Sequence, residues 1–159
     1  MTTRPSIFQE MGFAITEERL PEQVVYSLAR TANLLMQHLA TVYRRVGLTP
    51  ASFNLLMLLQ HGAEPEAFTQ QAVGAHLVAS PSNMTGLVDR LAAKGWLTRL
   101  PGKDRRSHRL HITPKGSKLL DAVWSQHVEA VEQIAQGLSR EEARTLVRLT
   151  AQVRHAPEP

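Results

Sequence analysis

Lys103, Arg105, Arg106 and Arg109 crowd one short stretch of the chain, with Asp104 among them. Like charges so close together repel one another, so gathering them gives a fold nothing; what they can do is hold a polyanion. The basic character extends further. From Arg90 to Lys118 the sequence holds nine Lys/Arg and one acid, while the other 130 residues hold nine Lys/Arg and thirteen acids. One stretch therefore carries +8 and the remainder −4 within a net charge of +4. The plainer reading of such a run is a solvated charged face. Asp104 adds a second possibility, since a carboxylate can fix one arginine in a set pose by a bidentate pair.

A second group lies just upstream: Ser80, Ser82, Asn83 and Thr85, with Arg90 a little further on. Small hydrogen-bonding side chains near a helix N-terminus reach base edges or phosphates when that end enters a major groove, and Arg90, further along, can contact phosphate. The plainer reading is an amphipathic helix with a polar outer face. Other chemistries find little support. The chain has no cysteine, which removes disulfides, thiolate zinc sites and thiol nucleophiles together. His108 and His111 are three apart on an extended segment and so face opposite sides, and His38, His61, His76, His127 and His155 are scattered, so no metal site is expected. No glycine-rich phosphate loop, nucleophile elbow or paired-carboxylate site is evident, so no enzyme activity and no cofactor are expected.

These groups need elements to position them. Val25, Leu28, Ala32, Leu35, Leu39 and Val42 recur at spacings of three and four, which predicts a long helix from about residue 22, ended near Gly47. Before it, Phe8, Met11, Phe13 and Ile15 suggest a short helix or an arm. Thr49-Pro50, Ser80-Pro81 and Thr113-Pro114 each set a hydroxyl cap before a proline at the first helical position; Thr69 and Ser139 can cap two further helices. The predicted helices are 50–60, apolar nearly all round, then 69–78 and 81–94, the last burying Met84, Leu87, Val88 and Leu91. The tight link Val78-Ala79-Ser80 makes the latter two a helix-turn-helix. Trp96–Leu100 and Arg109–Thr113 alternate apolar and polar residues around a polar turn, which predicts a two-stranded hairpin. A long helix follows from Pro114, with Leu120, Trp124, Val128, Val131, Ile134 and Leu138 in a stripe. A last helix runs from Arg140 to about Arg154, and the tail 155–159 is expected to be disordered.

The predicted order is α-α-α-α-β-β-α-α, a mainly α winged helix-turn-helix. Residues 1–48 read as an arm and a dimerisation helix, 49–113 as the nucleic-acid-reading unit, and 114–159 as dimerisation helices with a short tail. On a hairpin tip an arginine can enter a narrow minor groove, where the negative potential is enhanced. The segment 8–28 and the helices 114–154 carry apolar stripes that a monomer of this size need not fully cover; the plainer reading is that they pack within their own chain. The first ten residues do not read as a signal peptide and no apolar run approaches the roughly 20 residues of a membrane span, so a cytoplasmic protein is expected. The competing reading is a winged-helix module that serves protein assembly without reading DNA.

The segment Ser80-Pro81-Ser82-Asn83-Met84-Thr85-Gly86-Leu87-Val88-Asp89-Arg90-Leu91-Ala92-Ala93-Lys94-Gly95-Trp96-Leu97 resembles the recognition helix of the multiple-antibiotic-resistance regulator (MarR) family. Asp104-Arg105-Arg106-Ser107, followed by Leu110-His111-Ile112-Thr113-Pro114-Lys115-Gly116, resembles that family's wing, an Asp-x-Arg pair leading to an apolar-Thr-x-x-Gly close. The resemblance covers roughly residues 24–150 in layout and is specific at 80–116. It implies a homodimer on a pseudo-palindromic operator, usually as a repressor, with the first and last helices interleaved across the two-fold axis. It also implies Arg106 as the minor-groove residue, with Asp104 beside it, and leaves Lys103, Arg105 and Arg109 as phosphate contacts. One position departs: the residue after Thr85 is often basic in this family and is Gly86 here.

The resemblance further implies release of DNA by a small, commonly aromatic or phenolic, anion bound between the two lobes. Met36, His38, Phe53, Met57, Trp124 and His127 lie on helices that could line such a pocket; each is also an ordinary core or surface residue type. Without cysteine, the thiol-oxidation sensing of some relatives is not expected.

Overall fold

A computed structural model describes residues 5–15, 17–63, 68–101 and 108–155. Its elements are α1 (Ile7–Glu10), α2 (Leu20–Arg44), α3 (Pro50–His61), α4 (Gln70–His76), α5 (Pro81–Ala93), β1 (Leu97–Pro101), β2 (His108–Ile112), α6 (Pro114–Ala135) and α7 (Arg140–Arg154). Apart from the single turn α1 in the arm, this is the predicted winged helix-turn-helix order. Ser6 and Gln9 close α1 with a capping box, and Phe8 is buried against Phe13 and Tyr26 in edge and tilted ring contacts.

The five predicted caps form. The hydroxyls of Thr49, Thr69, Ser80, Thr113 and Ser139 each accept a backbone N–H of the first helical turn. Helix ends follow one pattern as well. After α2, Gly47 N–H donates to Arg44 O and Leu48 N–H to Tyr43 O; after α5, Gly95 N–H donates to Ala92 O and Trp96 N–H to Leu91 O. Both are paired closures with a left-handed residue at the turn, φ +75° and +69° respectively. The end of α4 has the same two bonds, Val78 to Ala75 and Ala79 to Gly74, but the left-handed residue is Val78, at φ 50°.

One continuous core holds the central unit together. α3 lies in its middle, with Phe53, Leu55, Leu56 and Leu59 buried. Tyr43, Leu48, Phe68 and Trp96, Val73 of α4, Met84, Leu87, Val88 and Leu91 of α5, Leu97 and Leu110 of the hairpin, and Leu120 and Val123 of α6 join it. β1 and β2 pair antiparallel from Leu97 opposite Ile112 to Pro101 opposite His108. Leu110 N–H also donates to Phe68 O at 2.8 Å, which ties the stretch before α4 to the outer edge of β2. Thr113 joins hairpin to helix: its hydroxyl donates to Gly95 O at 2.7 Å and accepts Gly116 N–H at 3.1 Å, while its N–H donates to Trp96 O. A Cβ at Gly116 would overlap the Trp96 carbonyl, so only glycine allows this approach.

The outer helices differ from the core in kind. α6 packs inward through Gly116, Leu120, Val123 and Ala130, a face rotated from the predicted stripe. Of that stripe only Leu120 is buried, and Trp124, Val131 and Leu138 are exposed. Trp124, Val131 and Leu138 are thus apolar surface that one chain leaves uncovered. α2 buries only Tyr43, and α7 buries no residue. Leu20, Val24 and Leu28 of α2 and Leu146, Leu149 and Val153 of α7 line an open apolar hollow of about 680 Å³.

Candidate nucleic-acid interface

α5 is set against α4 by its buried face and shows a polar face outward. Ser80 Oγ accepts Asn83 N–H at 3.4 Å and lies 3.3 Å from Ser82 Oγ. Ser82 and Asn83 are exposed. Thr85 is committed locally: its hydroxyl donates to Pro81 O at 3.0 Å and accepts from Gln70 Nε2 at 2.8 Å. Of the small polar residues predicted to face a ligand, Thr85 thus also ties α5 to α4, and Gln70 is the partner that the sequence reading missed. Ser80, Ser82, Asn83, Gly86 and Arg90 line a hollow of about 440 Å³ on this face, with Ala51 and Val78 at its edge.

The basic stretch divides into paired and outward cations. Arg99 of β1 pairs with Asp89 of α5 at 2.6 Å, so one cation is neutralised and the hairpin is joined to the helix. Lys94 Nζ donates to Gly47 O at 3.1 Å and lies 4.3 Å from the centre of the Trp96 ring, a cation–π contact. Lys115 Nζ donates to Lys94 O at 2.9 Å. These two lysines close helix ends. Arg109 sits half-buried in β2 opposite Leu100. Lys103, Asp104, Arg105 and Arg106 lie outside the described residues.

The six residues predicted to line an effector pocket do not gather at one place. Tyr43, Phe53, Trp124 and His127 form an aromatic cluster where α2, α3 and α6 meet. Tyr43 and Phe53 stack with centroids 4.3 Å apart, Phe53 and His127 lie at 4.6 Å, and Trp124 and His127 at 5.3 Å. Tyr43 Oη and His127 Nδ1 share a 2.8 Å hydrogen bond. Burial pushes the Tyr43 phenol up to about 12 and holds His127 below its ordinary value. Met57 packs half-buried against the core. Met36 instead lines a separate hollow of about 410 Å³ with Asn54, Leu77 and Met84, and His38 is exposed on α2. Tyr43 was not singled out in the sequence, because a tyrosine on a helical stripe reads as core. Among the described residues no group of three or more His, Asp or Glu side chains could hold a metal ion, and no helix is long and apolar enough to cross a membrane.

Residues 46–107 match the model of the MarR family. The chain is 31% identical over 134 residues to the HTH-type transcriptional regulator PecS of Dickeya dadantii, covering 84% of this chain and 81% of that one. Its fold is similar to Sco3205, a MarR family transcriptional regulator from Streptomyces coelicolor solved in complex with DNA, with TM-score 0.79, 24% identity and coverage of 91% and 93%. It is also similar to CouR, a transcriptional repressor of Rhodococcus jostii solved on a 23-mer DNA duplex, with TM-score 0.75, 26% identity and coverage of 89% and 99%.

Proposed function

The chain belongs to the MarR family of transcription regulators, and from that premise we propose that it binds double-stranded DNA sequence-specifically as a homodimer and represses transcription until a small effector releases it. The observation that carries this reading is the exposed polar face of α5, capped by Ser80 and joined to the hairpin through Asp89 and Arg99, so that helix and hairpin present as one body. In this reading Ser82 and Asn83 meet the major groove, and Ser80 and Thr85 orient the helix that carries them. The sequence supports Arg106 as the minor-groove residue with Asp104 as its positioner, and Lys103, Arg105 and Arg109 as phosphate contacts. Residues 49–113 form the reading unit; 1–48 and 114–159 assemble the dimer. CouR on its DNA duplex supports the same mode of action here. The protein acts by binding and not by catalysis, in the cytoplasm.

For the effector we propose an aromatic or phenolic anion seated against Phe53, Trp124 and His127. A ring stacked there would touch α3 and α6 together, so it would bias how the reading unit sits on the outer helices. Sodium salicylate is a suitable probe, read by fluorescence of wild type against Trp124→Phe.

The decisive test is a gel-shift titration with fragments of the source genome at several salt concentrations. A few fragments should be retained, with affinity falling steeply as salt rises, because phosphate contacts release counterions. Arg106→Ala should weaken retention without unfolding the chain. A flat salt response with no preferred fragment would favour the protein-assembly reading instead.

A further inference from the structure

Arg90 stands one helical turn after Gly86 on the exposed face of α5. A Cβ built on Gly86 would lie 3.3 Å from an Nη of Arg90. The guanidinium therefore lies back over the glycine, toward the start of the helix, which is the direction helical side chains lean. The missing side chain leaves the floor of the hollow that Ser82, Asn83 and Val78 border. Glycine inside a helix is destabilising relative to alanine; here it makes room for a planar cation. The neighbouring carboxylate, Asp89, is engaged by Arg99. Among the described residues no acid forms an ion pair with Arg90.

We propose that Arg90, bedded on Gly86, is a specificity-determining residue that reads a guanine in each half-site. The proposal rests on the reading of α5 as the groove helix. A phosphate contact asks only for charge at the rim, reached by a side chain extended outward. Arg90 rises from the last turn of α5 but is instead laid back along the helix over Gly86, lining the same hollow as Ser82 and Asn83. Its planar fork matches the O6 and N7 acceptors of guanine. A side chain at 86 would occupy the space between that fork and the first turn.

Selection from a fully randomised duplex library, with wild type and three variants, tests this. Wild type should enrich sites with a guanine at one position in each half-site. Arg90→Ala should lose that preference, roughly five- to 150-fold in relative affinity, with the other positions unchanged. Arg90→Lys should keep the salt dependence and weaken the guanine preference, because an ammonium lacks the planar fork. Gly86→Ala should be at least as stable as wild type, since alanine is the better helix former, and should still weaken the same preference. Damage to the fold does not produce that combination. Equal weakening of every sequence by Arg90→Ala, with the salt slope reduced by about one, would make Arg90 a phosphate contact and overturn the proposal. A wild-type chain that enriches nothing would remove DNA reading itself, and the two failures are distinguishable because in the former wild type still selects.

Discussion

Asp89 of α5 and Arg99 of β1 meet at 2.6 Å, so the recognition helix and the hairpin behind it are joined by charge as well as by core. Both side chains are partly open to solvent, and such pairs contribute between zero and about 1 kcal/mol. Asp89→Asn should therefore lower stability by less than about 1 kcal/mol in urea titration. Its larger effect should be on orientation. Released, Arg99 adds a mobile cation beside the helix, and non-specific DNA affinity should rise relative to specific affinity. An unchanged ratio in competition with calf-thymus DNA would show that the pair has no steering role.

The Thr113 latch gives a sharper stability test. Thr113→Val removes a helix cap and the bond to Gly95 O together, and should cost about 1–2 kcal/mol. Gly116→Ala should cost more, about 3 kcal/mol, because the new methyl meets backbone at Trp96 rather than a side chain able to move. Denaturant midpoints in the reverse order would contradict the packing described at this joint.

Val78 should respond in the opposite sense. It occupies the left-handed closing position that glycine fills after α2 and α5, and it is 94% exposed, so its methyl groups gain no burial in return. Val78→Gly should stabilise the chain by about 1 kcal/mol, seen as a higher melting temperature. If it destabilises, Val78 has a packing partner that a single chain does not contain.

Stability should also depend on pH through the aromatic cluster. Burial holds folded His127 below 6.5, so between that depressed value and 6.5 the unfolded chain binds more protons. Its contribution is complete above pH 6.5 and is lost as pH falls from there. Tyr43 acts at the other end: raised to about 12, its contribution is complete below pH 10 and is lost as pH climbs toward 12. Urea midpoints of His127→Gln should show a flatter acid limb than wild type, and Tyr43→Phe a flatter alkaline limb.

Local chemistry made most of the architecture legible. A hydroxyl before a proline marks a helix start by itself, and Thr49, Ser80 and Thr113 all cap as read. The buried face of α5 was readable for the same reason, since period alone places Met84, Leu87, Val88 and Leu91 together. Contacts between distant parts of the chain were not readable. Phe68 pairing with Leu110, Gln70 bonding Thr85, and Lys94 reaching Gly47 leave no periodic trace. Which of the two apolar faces of α6 turns inward was not legible, because only packing decides between Val123 and Trp124. Met36 and His38 were grouped with Phe53 and His127 by helix membership, whereas the turn of each helix sends them elsewhere.

α7 has fifteen residues, none of them buried. A helix of about that length barely holds itself in water, so its persistence must be drawn from whatever covers Leu146, Val147, Leu149 and Val153. If the cover is a second copy, ellipticity and melting temperature both rise with protein concentration. The folding of the last helix then becomes a gauge of abundance: when copies are few, α7 frays first, and the assembly is lost before the protein is.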